Sequence, residues 1–157
     1  MDEPLHPDVA ELGFLIGTWR GRGTGVYPTI EPFTYEEEIT IRPASGKPFL
    51  VYEQRTRRPA TGEPLHAEVG YFRAVGGPTV ELVVAQPTGI AEVHTGTVRD
   101  ATVHLRSVEV ARTPTAKEVT SVERTLVVED ATLRYELHMG AVGQPHQLHL
   151  KAVLHRA

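Results

Sequence analysis

A chain of 157 residues is long enough to bury one sizeable core and too short for two, so a single domain over residues 1–157 is expected. Its formal charge of −4, with Lys and Arg scattered among Asp and Glu, offers no basic stripe for a phosphate backbone, and nucleic acid is disfavoured as a partner. Zero Cys removes disulfides, thiolate metal centres, cysteine nucleophiles and cofactor attachment through Cys-x-x-Cys-His, and no apolar run reaches signal or spanning length, so a soluble cytoplasmic protein with no membrane partner is expected.

Taken in order, Pro7-Asp8 supplies a cap and Val9, Leu12, Leu15 and Ile16 follow at helical spacing, which predicts a short N-terminal helix near residues 8–16 that ends at Gly17. The next stretch, Gly17-Thr18-Trp19-Arg20-Gly21-Arg22-Gly23-Thr24-Gly25, carries the only Trp beside glycines at alternate positions. A strand with one face stripped to backbone either bends at a barrel corner or lets a neighbouring segment or ligand approach closely. From there on, short runs of alternating β-branched and polar residues replace the helical period. They span about 17–27, 33–43, 47–57, 65–75, 79–86, 89–98, 101–111, 118–128, 131–139 and 146–156.

The separators carry turn chemistry, among them Ala44-Ser45-Gly46, Gly76-Gly77-Pro78, Pro87-Thr88-Gly89 and Gly143-Gln144-Pro145. Ten strands of similar length with short connections predict an all-β fold: a ten-stranded antiparallel up-and-down barrel, similar in kind to lipocalins and fatty-acid-binding proteins, with the first and last strands adjacent. A barrel of that size encloses a ligand cavity. Val80, Leu82, Val84 and Gln86 share one face of their strand, as do Ala131, Leu133, Tyr135, Leu137 and Met139 of theirs, and both rows end in a group able to touch a ligand. Leu65 and His66 open a strand at the same rim. Glu36-Glu37-Glu38 reads as a solvated strand face, there is no Gly-x-Ser-x-Gly, and no catalytic acid, base or nucleophile is assigned.

Three of the eight His residues, His146, His149 and His155, lie in the last strand, yet no zinc-ligand spacing accompanies them. Alternation places Leu148, Leu150, Ala152 and Leu154 on one face and His149 on the other, so the residues by themselves send His149 to solvent. If His149 instead points inward, the leucines form an exposed apolar row. Three devices would resolve it: cover by the N-terminal helix, which is the favoured one, cover by a second copy in a homodimer, or a β-bulge near Leu148.

Gly17-Thr18-Trp19-Arg20-Gly21-Arg22-Gly23, followed by Tyr27-Pro28-Thr29-Ile30, resembles the Gly-x-Trp-x-Gly-x-Gly signature of the nitrobindins. Gly46-Lys47-Pro48-Phe49-Leu50, the stretch from Pro64 to Phe72, Ala85-Gln86-Pro87-Thr88-Gly89 and the terminal His149-Leu150-Lys151-Ala152-Val153-Leu154 are similar to later segments of that family, in the same order. The resemblance implies one b-type haem per chain near the barrel mouth, ferric iron ligated by His149, and a pocket touched by Thr29, His66, Gln86 and Met139. It also implies nitric oxide binding and isomerisation of peroxynitrite to nitrate as the activity. Two other readings use the same barrel: a carrier of an apolar small molecule, and a nitric oxide sensor or store without turnover.

Overall fold

The computed structural model describes residues 4–157. A 3-10 helix, Pro7–Leu15, precedes ten strands: β1 (Gly17–Tyr27), β2 (Ile30–Pro43), β3 (Phe49–Arg57), β4 (Pro64–Ala74), β5 (Thr79–Gln86), β6 (Ile90–Arg99), β7 (Thr102–Arg112), β8 (Val119–Glu129), β9 (Thr132–Ala141) and β10 (Gln144–Arg156). Each strand pairs antiparallel with its sequence neighbours, and β1 pairs with β10 to close the ring. The expected barrel is therefore present, with most boundaries within two residues of those read from alternation. The widest discrepancy lies at β2, which begins at Ile30 because the turn after β1 needs only Pro28 and Thr29.

The helix differs in kind from an α-helix. Val9, Leu12 and Leu15, all buried, recur every three residues, the repeat of a 3-10 helix, in which such positions stack on one side. Its N-cap is His6, one residue before the expected Pro7-Asp8 pair: the imidazole Nδ1 accepts the Asp8 N–H at 3.1 Å, and Pro7 takes the first turn, where its missing N–H is not needed. The buried side joins a core cluster with Trp19, Ile39, Leu50, Phe72 and Leu154, closing that end of the barrel. Trp19 Nε1 donates to the Leu15 carbonyl at 2.9 Å, and the Arg156 guanidinium lies 4.1 Å from the centre of the Trp19 ring. Arg156 also donates to the Phe14 carbonyl at 3.2 Å and to that of Ile16. The chain's two ends are thus fastened to each other around Trp19.

Side chains fill the glycine row from the neighbouring strand. Gly23 faces Tyr35 and Gly25 faces Phe33 across the β1–β2 register. A Cβ on Gly23 would fall 2.3 Å from the Tyr35 ring, and one on Gly25 2.2 Å from that of Phe33. The two rings therefore lie flat over bare backbone, the aromatic-over-glycine pairing that lets a strand curve without leaving a hole.

The outward leucine row is not formed. Pairing of β10 with β9 skips a residue between Leu148 and Leu150, so His149 is the extra residue of a bulge. The inserted residue changes the parity, and Ala152 and Leu154 point into the core while His149 turns toward the rim. Of the three devices the bulge is the one used. The helix meets Leu154 inside the closed end and covers no outer row.

Candidate functional site at the open end

The end opposite the helix carries the β1–β2, β3–β4, β5–β6, β7–β8 and β9–β10 connections. Thr29 lies exposed in the first of them; His66 near the start of β4, Gln86 at the end of β5, Met139 near the end of β9 and His149 in the β10 bulge belong to the same end. All five residues singled out in the sequence are brought to one mouth. In a ring of ten strands β5 is five places from β10 in either direction, so Gln86 and His149 stand on opposite walls. Val26, Ile30, Phe33 and Leu65 supply exposed apolar surface around the opening.

His149 is half-buried. Its Nδ1 lies 2.9 Å from the Val26 carbonyl oxygen, an atom that only accepts, so Nδ1 carries the proton and Nε2 the lone pair. Tyr27 packs edge-on against the imidazole with ring centres 5.3 Å apart, and its hydroxyl is anchored by the Ala141 N–H at 2.9 Å and the Met139 carbonyl at 3.1 Å. Burial, with a smaller repulsion from His66, lowers the His149 pKa against the opposing pull of the Val26 carbonyl, which favours the neutral imidazole. A neutral ring held by its Nδ1–H on a backbone carbonyl, with Nε2 free, is how a metal-ligating histidine is ordinarily oriented. Among the described residues no three His, Asp or Glu side chains form a cage for a bare metal ion. The donor set fits a metal that arrives already chelated, as iron does in haem, and needs only one ligand from the protein.

His146 and His155 have other employment. His146 bonds Ser121 at 2.8 Å and Glu123 at 3.1 Å, and His155 reaches Thr132 at 3.3 Å near the closed end.

Between the mouth and the apolar core lies a polar floor that alternation rules did not reveal. Arg124 of β8 donates to Glu68 of β4 at 2.6 Å and to Glu92 of β6 at 2.8 Å, all three buried. Tyr52 donates to Glu68 at 2.7 Å, and His94 lies 2.7 Å from Glu92. Burial opposes charge on each member of the Arg124–Glu68–Glu92 group, but mutual attraction prevails: both carboxyls are held below their ordinary range and Arg124 stays protonated. His66 and Gln86 hang from this group, His66 Nε2 at 3.3 Å from Glu68 and Gln86 Nε2 at 3.1 Å from Glu68 and 2.5 Å from Glu92.

The acidic triplet of β2 corrects the solvated-face reading. Glu36 and Glu38 point outward to arginines of β1 and β3, at 3.0 Å from Arg57 and 2.7 Å from Arg20. Glu37 points inward and is buried. It accepts from Gln54 at 2.6 Å and Tyr135 at 2.7 Å, and Tyr135 is in turn 2.7 Å from the Tyr35 hydroxyl. Without a cation in contact, burial raises its pKa to about 7. The sequence signal was present: Glu37 shares parity with Tyr35, Ile39 and Ile41, and Glu68 with Gly70 and Phe72.

A closed barrel plugged at one end, with a neutral imidazole offering a lone pair at the other, has the form of a ligand-binding barrel. The model of the THAP4-like, heme-binding beta-barrel domain matches residues 8–156, and the chain belongs to that family, the nitrobindins whose motifs it carries. It is 51% identical over 160 residues to a Mycobacterium avium protein named peroxynitrite isomerase 2, covering 99% of both chains. A Nocardia farcinica protein named peroxynitrite isomerase is 48% identical over 156 residues, covering 97% of this chain and 92% of the relative. The crystal structure of Rv2717c from M. tuberculosis superposes with a TM-score of 0.92 at 46% identity, covering 98% of this chain and 99% of that one.

Proposed function

We propose that this protein binds one b-type haem at the barrel mouth through His149 and isomerises peroxynitrite to nitrate, with nitric oxide as a second small ligand. The observation that carries the reading is the Nδ1 bond from His149 to the Val26 carbonyl, which leaves Nε2 unprotonated on the wall opposite Gln86. Membership of a heme-binding family and relatives named peroxynitrite isomerase at about half identity support it. When bound, ferric haem supplies an open coordination position at which peroxynitrite rearranges to nitrate with no external electron donor.

The chain's own contributions are separable. Val26 fixes the His149 tautomer, and Tyr27 packs against the ring. Thr29 and the apolar rim at Val26, Ile30 and Phe33 border the mouth where an apolar macrocycle would be received. Met139, half-buried, shares the wall beside His149. No helix of the described residues is long and apolar enough to cross a membrane, and a chain without Cys suits a reducing compartment such as the cytoplasm. Stopped-flow absorbance at the peroxynitrite band, with nitrate and nitrite quantified afterwards, tests the activity: haem-loaded protein is expected to accelerate decay and raise the nitrate share. Stoichiometric haem uptake without acceleration would leave a nitric oxide store, and uptake of apolar ligands in place of haem would leave a carrier.

A further inference from the structure

On the outer side of the barrel three side chains stand in a line of donors and acceptors. Ser121 and Glu123 alternate with the buried Val122 and Arg124 along β8, which turns them outward. Pairing of β10 with β9 passes from Gln144–Ala141 to Gln147–Met139, so Pro145 and His146 together oppose Gly140 in a second bulge. Gly140 also pairs with Ser121 of β8, and a Cβ on it would fall 2.8 Å from Ser121 Oγ. Bare backbone there lets the His146 imidazole reach across β9, with Nδ1 2.8 Å from Ser121 Oγ and Nε2 3.1 Å from Glu123 Oε1. The other Glu123 oxygen lies 2.6 Å from His104 Nε2 and 3.3 Å from Arg106 Nε. The bonds from His104 and His146 hold the Glu123 carboxyl well below its ordinary range, at about 2, so it is ionised and only accepts. Nε2 of His146 therefore carries a proton, and in the neutral ring the lone pair is on Nδ1, facing the Ser121 hydroxyl.

We propose that Ser121 is a nucleophile that takes the acyl group of small carboxylic esters, with His146 as its general base and Glu123 as the positioning residue that sets the imidazole tautomer. A hydroxyl on a base and the base on a carboxylate is the order in which serine is activated on unrelated folds, here with the two ring nitrogens exchanged. A groove of about 290 Å³ lined by Arg106, Val122, Glu123 and His146 borders the line and has room for a small ester. The Arg106 guanidinium in that groove is the cation available to the charge that develops on the carbonyl oxygen. Ser121 Oγ bonds to the carbonyl carbon while its proton passes to His146 Nδ1. The ester C–O bond then breaks, its electron pair leaves with the alkoxide, and the alkoxide takes the proton from Nδ1 and departs as the alcohol. Water repeats the sequence on the acylated Ser121, releasing the carboxylic acid and restoring the hydroxyl. Haem takes no part, so this site is independent of the reading above.

Haem-free protein tests it. Incubation with a fluorophosphonate, followed by peptide mass spectrometry, is expected to find the adduct on Ser121 of the wild type and to find none there in His146→Ala. Hydrolysis of p-nitrophenyl acetate is followed in parallel, with Ser121→Ala measuring the background from surface amines and imidazoles. The rate above that background is expected to fall about hundredfold in His146→Ala, the loss of a general base. Glu123→Gln, whose amide can donate to Nε2 and favour the opposite tautomer, is expected to lower kcat about tenfold or more with KM little changed. An unchanged kcat in that variant would overturn the role of Glu123. No adduct on Ser121 of the wild type, an adduct that survives His146→Ala, or equal hydrolysis by wild type and Ser121→Ala would overturn the proposal as a whole. Labelling of the wild type needs no substitution and decides the matter even where a variant does not fold.

Discussion

Replacing Glu37 by Gln should stabilise the protein, and by an amount that depends on pH in a defined direction. Glu37 is 5% exposed and its hydrogen-bond partners, Gln54 and Tyr135, are neutral. Burial raises its pKa from 4.5 to about 7 in the folded state. For a carboxyl so raised, the folded chain holds more protons than the unfolded chain between the two values, so stability is lost as pH rises through that window and is constant above it. The full penalty is about 3 kcal/mol, reached above pH 7. The amide that replaces the carboxyl has an acceptor waiting, because Gln54 Oε1 is buried without a partner among the described residues. Urea unfolding of haem-free wild type and Glu37→Gln from pH 5 to pH 8.5 is the assay. The variant's advantage is expected to grow by about 2–3 kcal/mol across that range, corresponding to several degrees in Tm for a chain of this size. An advantage that does not change with pH would refute the buried-ionisation argument, whatever its absolute size.

Arg124→Leu should cost about 3–5 kcal/mol near neutral pH, because Glu68 and Glu92 lose the cation that holds them ionised in the interior; part of the loss should be recovered on acidification, read by the same unfolding assay. Gly21→Ala would place a Cβ 2.1 Å from the Val153 carbonyl oxygen, backbone that cannot swing aside, and should destabilise the β1–β10 closure by about 1–3 kcal/mol or more in thermal unfolding. Deleting residues 1–16 removes the buried Val9, Leu12 and Leu15 and the acceptor of the Trp19 indole, and should cost at least about 5 kcal/mol, seen as a lower Tm or aggregation; equal stability would show that the helix does not close the barrel.

Much of the architecture was legible because it rests on short-range pattern. Alternation with turn residues between the runs located ten strands, and short connections left little choice but a meander. The same rule failed wherever a polar residue faces inward. Glu37, Glu68, Glu92 and Arg124 occupy interior positions of their strands, and alternation reads a charge as outward unless its partner is known. Those partners lie 32 and 56 residues apart in sequence for Arg124, a separation that no local window spans. The facing of His149 was misjudged from the residues alone for a different reason. A bulge adds one residue to the strand and inverts the parity on which facing was judged, and nothing in Leu148-His149-Leu150 marks it in advance. The resemblance to the nitrobindins pointed to His149 where periodicity pointed away, and the bulge accounts for the disagreement.

The most direct test of the central claim is an absorption titration of the purified protein with hemin, run in parallel on wild type, His149→Ala, His146→Ala and His155→Ala. The account predicts a saturating Soret band at one haem per chain for wild type, its loss in His149→Ala, and little change in the other two, whose imidazoles are engaged with Glu123 and Thr132. Equal losses in all three variants, or stoichiometric binding that survives His149→Ala, would contradict it.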